Sequence, residues 1–134
     1  MSGETKLRTL IRSMRPVLDK GPYVFVTLTA HTTLPPEISP VLVFQEAEGP
    51  SFILRKDEAD SVDLSGVFPS SMITLNIHSS LEAVGFLAAV LPRLATAGIS
   101  VNAVSAFYHD HLFVPIDRAQ EALEILEAMA LEQG

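Results

Sequence analysis

The stretch Ile73-Thr-Leu-Asn-Ile-His-Ser-Ser-Leu-Glu-Ala-Val-Gly-Phe86 decides the fold. It begins inside a strand over residues 71–78, with Ile73, Leu75 and Ile77 on one face. Ser79-Ser80 then suits a helix N-cap, because a serine hydroxyl accepts a bond from an orphan N–H of the first turn. The helix is expected from Leu81 to about Ala97. Its segment 83–91 is apolar all round, which predicts cover on more than one side. Pro92 removes a bond to the carbonyl four residues back and predicts a kink, and Gly98 is placed as the C-terminal cap. Beyond it, Val101 to Phe107 alternates as a strand, Tyr108-His109-Asp110 forms a tight turn, and His111 to Ile116 returns as a strand. Asp117 starts a last helix, with Ala119, Ala122, Leu123, Leu126 and Met129 inward and Glu121, Glu124 and Glu127 outward. Strand, helix, strand, strand, helix is a ferredoxin-like βαββαβ unit that lacks its final strand. The first half of the chain is expected to supply that sheet edge, or a second subunit to cover it.

Toward the N-terminus, Leu7, Leu10, Ile11, Met14 and Leu18 recur at helical spacing, with Arg8, Arg12 and Arg15 off the stripe. Pro16 should end or kink that helix. Gly21-Pro22 opens a strand over 23–29, rich in β-branched and aromatic residues. Residues 31–40 hold three prolines and read as a long loop. Val41–Gln45 and Ser51–Arg55 read as a hairpin turned by Glu48-Gly49-Pro50. Lys56–Ser61 reads as a short polar helix, and the chain crosses between halves around residues 64–67. The expected division is 1–66 and 67–134, as two halves of one compact unit.

The length of 134 residues fits one domain. A hydrophobic content of 48% against 19% charged is enough for a core and excludes a disordered chain. The absence of cysteine excludes a disulfide scaffold, a thiol nucleophile and a cysteine zinc site. No apolar run approaches the ~20 residues of a membrane span. The first residues lack a signal-peptide apolar region, so a cytoplasmic protein is expected. A net charge of −7 argues against general nucleic-acid binding. That charge is uneven: residues 1–20 carry five bases against two acids, and the remainder four bases against fourteen acids. The basic first element is a solvated helix face, or it meets an acidic surface in the chain or on a partner.

The quoted stretch, followed by Ala97-Gly-Ile-Ser-Val-Asn102 and Tyr108-His-Asp-His-Leu-Phe-Val-Pro-Ile116, resembles the ACT-domain superfamily. It is more closely similar to a bacterial group of small ACT-like proteins. Tyr23-Val-Phe25 and Phe44-Gln-Glu-Ala-Glu-Gly49 resemble that group's N-terminal region. The resemblance covers nearly the whole chain as two short halves in tandem. It implies an α+β fold of ferredoxin-like halves, with antiparallel sheet and helices on one face. It also implies a regulatory module without catalysis or cofactor, binding an amino acid or small carboxylate, often between two copies of a homodimer. The family's ligand loop is here Asn76 to Gly85, and the opposing wall is the strand Ile99 to Ser105. Ser79-Ser-Leu-Glu82 departs from the usual acid-proline-glycine flavour of that loop.

The candidate ligand residues are therefore Asn76, His78, Ser79, Ser80, Leu81, Ser100, Asn102 and Val104. The unpaired N–H groups of a helix start suit a carboxylate. Ser100 and Asn102 suit an amino group, and Val84 and Val104 a modest apolar side chain. His109-Asp-His111 invites a metal, with His78 or His31 as third ligand. However, Asp is favoured in turns and His-x-His fixes no third ligand, so no metal is expected. Glu46 and Glu48 read as an exposed acidic turn, and neither a Gly-x-Ser-x-Gly elbow nor a phosphate-binding glycine loop is present. Two rivals stand beside ligand sensing: a ligand-free protein-interaction module, and a metal-dependent enzyme using His109 and His111.

Overall fold

The computed structural model describes residues 3–77 and 85–133. The elements are α1 (Gly3–Ser13), β1 (Arg15–Thr27), β2 (Leu42–Glu46), β3 (Gly49–Arg55), α2 (Lys56–Ser61) and β4 (Val67–Asn76). They continue as α3 (Phe86–Thr96), β5 (Asn102–Ser105), β6 (Asp110–Pro115), a 3-10 turn (Ile116–Arg118) and α4 (Ala119–Glu132). Contacts divide the chain twice: Lys20–Ser71 forms one compact unit, and Met1–Asp19 with Met72–Gly134 forms the other. The sequence suggests a single cut at 66/67. The strands β1 and β4 each contribute residues to both units.

In the Lys20–Ser71 unit the strand order is β2-β3-β1-β4. Read along the chain, that is the ferredoxin-like order, with residues 28–41 where a first helix would stand. No helix forms there because Pro35, Pro36 and Pro40 remove donors and fix the backbone. The segment still does a helix's packing. Ile38 and Leu34 cover the face carrying Val24, Val26, Phe52 and Leu54. The hairpin forms, but its turn is the two residues Ala47-Glu48, with Glu46 opposite Gly49, and Gly49-Pro50, expected in the turn, begin β3. Glu46 is spoken for: its Oε1 accepts from Ser51 Oγ at 2.5 Å.

In the other unit the order is β1-β4-β6-β5. This is the ferredoxin-like order with β1 as the fourth strand. The missing edge is thus supplied from the N-terminal side of the same chain. One expectation needs correcting here. Residues 15–22 are strand, where a helical stripe reaching Leu18, ended or kinked by Pro16, and a strand opened only by Gly21-Pro22 are expected. Pro16 stops α1 at Ser13, and Leu18, which fits the helical stripe, instead packs from β1 against the same core. All the helices lie on one face, where Ile11 of α1, Val90 and Leu94 of α3, and Leu126 of α4 meet Ile73, Leu75 and Leu112. α3 buries Phe86, Val90 and Leu94 and packs Leu87, Ala89 and Leu91 at their sides, between α1 and α4, so it is covered on more than one side as expected. Its remaining surface, Ala88, Pro92, Arg93, Ala95 and Thr96, is exposed. α3 ends as expected: Gly98 has φ 76°, and the N–H of Ile99 reaches back to the Leu94 carbonyl at 3.1 Å.

Candidate functional site

The helix-free face of the second unit's sheet carries the polar side chains that the sequence singles out. Side chains alternate along a strand, so Thr74 and Asn76 point away from Ile73 and Leu75. Across the sheet, Val104 stands opposite His111 and Asn102 opposite Phe113. Thr74 Oγ1 lies 2.9 Å from His111 Nδ1, and His109 Nδ1 donates to the Ile77 carbonyl at 3.2 Å. A carbonyl only accepts, so Nδ1 of His109 is the donor in this bond. Sequence reasoning missed Thr74. Its partner lies 37 residues away, and no spacing rule links them.

These contacts fix the relative places of the candidates. Ile77 meets His109 and Thr74 meets His111, so β4 and β6 run in opposite directions. Thr74, His111 and Val104 therefore form one row across the sheet. Asn76 lies two residues to one side of that row and Asn102 two residues to the other. The two are about 13 Å apart along the strands, with β6 between them. Asn76 and Asn102 are exposed, Val104 is half-buried, and Ser100 is exposed just before β5. Within one chain, then, the strand start at Ser100–Asn102 stands at the far end of the sheet from Asn76. His78, Ser79, Ser80 and Leu81 lie outside the described residues, as does the expected helix start at 81–84.

The histidine pair is compact. The rings of His109 and His111 are 6.4 Å apart, and Asp110 between them accepts from Ser105 Oγ at 2.6 Å. Burial lowers the His111 pKa, the neighbouring His109 adds to the shift, and Asp110 opposes it. Asp110 is the first residue of β6 and not part of the turn, which is Ala106–His109, closed by the Ala106 N–H to His109 carbonyl bond at 3.0 Å. Among the described residues no group of three His, Asp or Glu side chains is placed to hold a metal ion. No helix among them is long and apolar enough to cross a membrane.

Comparison with known proteins agrees with this geometry. Two ACT-domain family models match the chain, one over residues 2–71 and one over 67–128. A crystal structure of a protein of unknown function from Vibrio cholerae, described as a possible transport protein, is 40% identical, with a TM-score of 0.85. The match covers 96% of this chain and 99% of that one. A protein from Agrobacterium tumefaciens is 21% identical over 87% of this chain and 89% of its own, with a TM-score of 0.74. The ligand-free regulatory subunit of aspartate kinase from Thermus thermophilus shares the fold at 12% identity, with a TM-score of 0.64 over 87% of this chain and 96% of that one. No curated protein matches the chain. With one family model spanning half of the sequence and a second spanning most of the rest, both on ferredoxin-like units, the chain belongs to the ACT-domain family.

Proposed function

We propose that this protein is a regulatory, ligand-sensing ACT module that binds an amino acid or related carboxylate and does no chemistry on it. The observation that carries the reading is the doubled ACT fold, which in the structurally similar aspartate kinase subunit belongs to a regulatory chain. The ligand loop is Asn76–Gly85, and the wall is Ser100, Asn102 and Val104. Since Ser100 and Asn102 stand at the far end of the sheet from Asn76, with Val104 between, the part of the wall facing each loop comes from a second copy, through the exposed edge strand β5. An unpaired edge is a ready site for such pairing. The module is then a cytoplasmic homodimer whose ligand sits at the contact between copies. A thermal-shift screen of the twenty amino acids and common metabolic carboxylates tests it. A ligand at 100 times its dissociation constant adds about 2.7 kcal/mol of stability. Asn102→Ala is expected to abolish that gain while leaving the unliganded midpoint in place. If no amino acid or small carboxylate binds at millimolar concentration, the protein-interaction reading replaces this one.

A further inference from the structure

A recess of about 580 Å³ opens where α1 turns into β1, against the C-terminal half of α4. Its size is that of a small-molecule site. Its walls carry Arg12 and Arg15 on one side and Glu127 and Leu131 on the other, with Met14 between. Two features set it apart from ordinary surface. Met14 is only 3% exposed, whereas Leu131 is 80% exposed, so an apolar floor continues into an apolar wall left open among the described residues. Among the described residues the guanidinium groups of Arg12 and Arg15 are also unengaged. Arg93 is held by Glu132 and Arg118 by Glu121, whereas among the described residues Arg12 and Arg15 have no ion-pair partner. The recess thus gathers two free positive charges, one negative charge and an apolar surface. This is also where the basic first element meets the acidic outer side of α4.

We infer that this recess binds a monoanionic small molecule with an apolar body, its carboxylate held between Arg12 and Arg15 and its body lying over Met14 and Leu131. A planar guanidinium pairs with a carboxylate through two parallel bonds, which makes arginine the suited donor. Glu127 sets the charge limit: it leaves a net single positive charge, so it works against a dianion. None of the residues that line the recess belongs to the Asn76–Gly85 loop, and the assignment does not depend on the sensing proposal.

The test uses the full chain and three probes: 4-phenylbutyrate, its neutral amide, and 4-phenylbutylamine, titrated by NMR. Phenylbutyrate is expected to saturate in the millimolar range and to shift Leu131 and Met14 methyl signals. The amide and the amine are expected to bind at least tenfold more weakly. The double variant R12Q/R15Q should lose at least tenfold in affinity for phenylbutyrate, and Glu127→Gln should gain several-fold. Arg12, Arg15 and Glu127 are exposed side chains, so these variants retain the wild-type melting curve as a control. Asn102→Ala should leave the affinity unchanged, which separates this site from the sensing site. Equal binding of acid and amide, unchanged affinity in R12Q/R15Q, loss in Asn102→Ala instead, or no saturation at 20 mM would each overturn the assignment.

Discussion

Gly49 has φ 146°, and a Cβ there would stand 2.3 Å from the Leu28 carbonyl oxygen. That oxygen belongs to the main chain and cannot swing aside. Gly49→Ala is therefore expected to destabilise the fold by about 3 kcal/mol, combining backbone strain with overpacking. A denaturant midpoint within error of wild type would contradict this. A hairpin was legible in Glu48-Gly49-Pro50, but the place of its turn at Ala47-Glu48 was not, nor was the close approach of Leu28, which depends on where the strand before the loop ends. His111 sets a second expectation at this scale. Its pKa is lowered in the folded state from an ordinary value near 6.5, mainly by burial and then by His109. The unfolded chain then takes up the proton first. Stability is full above pH 6.5 and falls as the pH drops from there through the lowered folded pKa. Melting scans from pH 7.5 to 5.0 should show this fall, and His111→Asn should flatten it. A slope unchanged in the variant would assign the acid sensitivity elsewhere.

α4 was legible from its period alone: Ala119, Ala122, Leu126 and Met129 are buried, while Glu121, Glu124 and Glu127 are exposed. Leu126 is fully buried against the core of its unit, and Leu131, one turn further on, is open to solvent. Leu126→Ala should cost about 2–5 kcal/mol, with the spread set by how far the cavity collapses. Leu131→Ala should stay within about 0.5 kcal/mol of wild type. Equal losses from the two, by urea unfolding, would mean that the burial of α4 is misplaced. β1 shows where periodicity misleads. Leu18 follows Met14 by four residues and so fits a helix, yet it also alternates with Pro16 along a strand. Pro16 decides between the two by disallowing helix at the residue before it, and the strand wins. The cover of α3 on more than one side was legible from its apolar run, but which residues stay outside was not. An apolar composition cannot tell alanine and proline on an outer surface from leucine in a core.

The ferredoxin-like character of the C-terminal half was legible as an order of elements, as was the gap where its fourth strand belongs. What fills the gap was left open between the same chain and another, because a sheet edge closes by hydrogen bonds that any strand can make. The structure closes it with β1, while Ile11 and Met14 of the same N-terminal segment enter the core. A fragment of residues 67–134 should therefore lack a cooperative melting transition in far-UV circular dichroism, and a peptide of residues 3–20 added in trans should restore it. Cooperative melting of the fragment alone would show that β1 is dispensable. The candidate site was only half legible: its residue types follow from the loop and strand, but Asn76 and Asn102 prove to stand four residues apart along the sheet, which no one-dimensional reading of β5 reveals. The division of the chain into 20–71 and a unit built from 1–19 with 72–134 also fixes an order in time. On the ribosome the inner unit is continuous and can close as it emerges, whereas residues 3–19 must wait for 52 further residues before their first partners are made. At ordinary elongation rates that delay is about 3–10 s. Throughout it, the apolar stripe of α1 lacks the core against which Leu7, Leu10, Ile11 and Met14 pack in the finished fold.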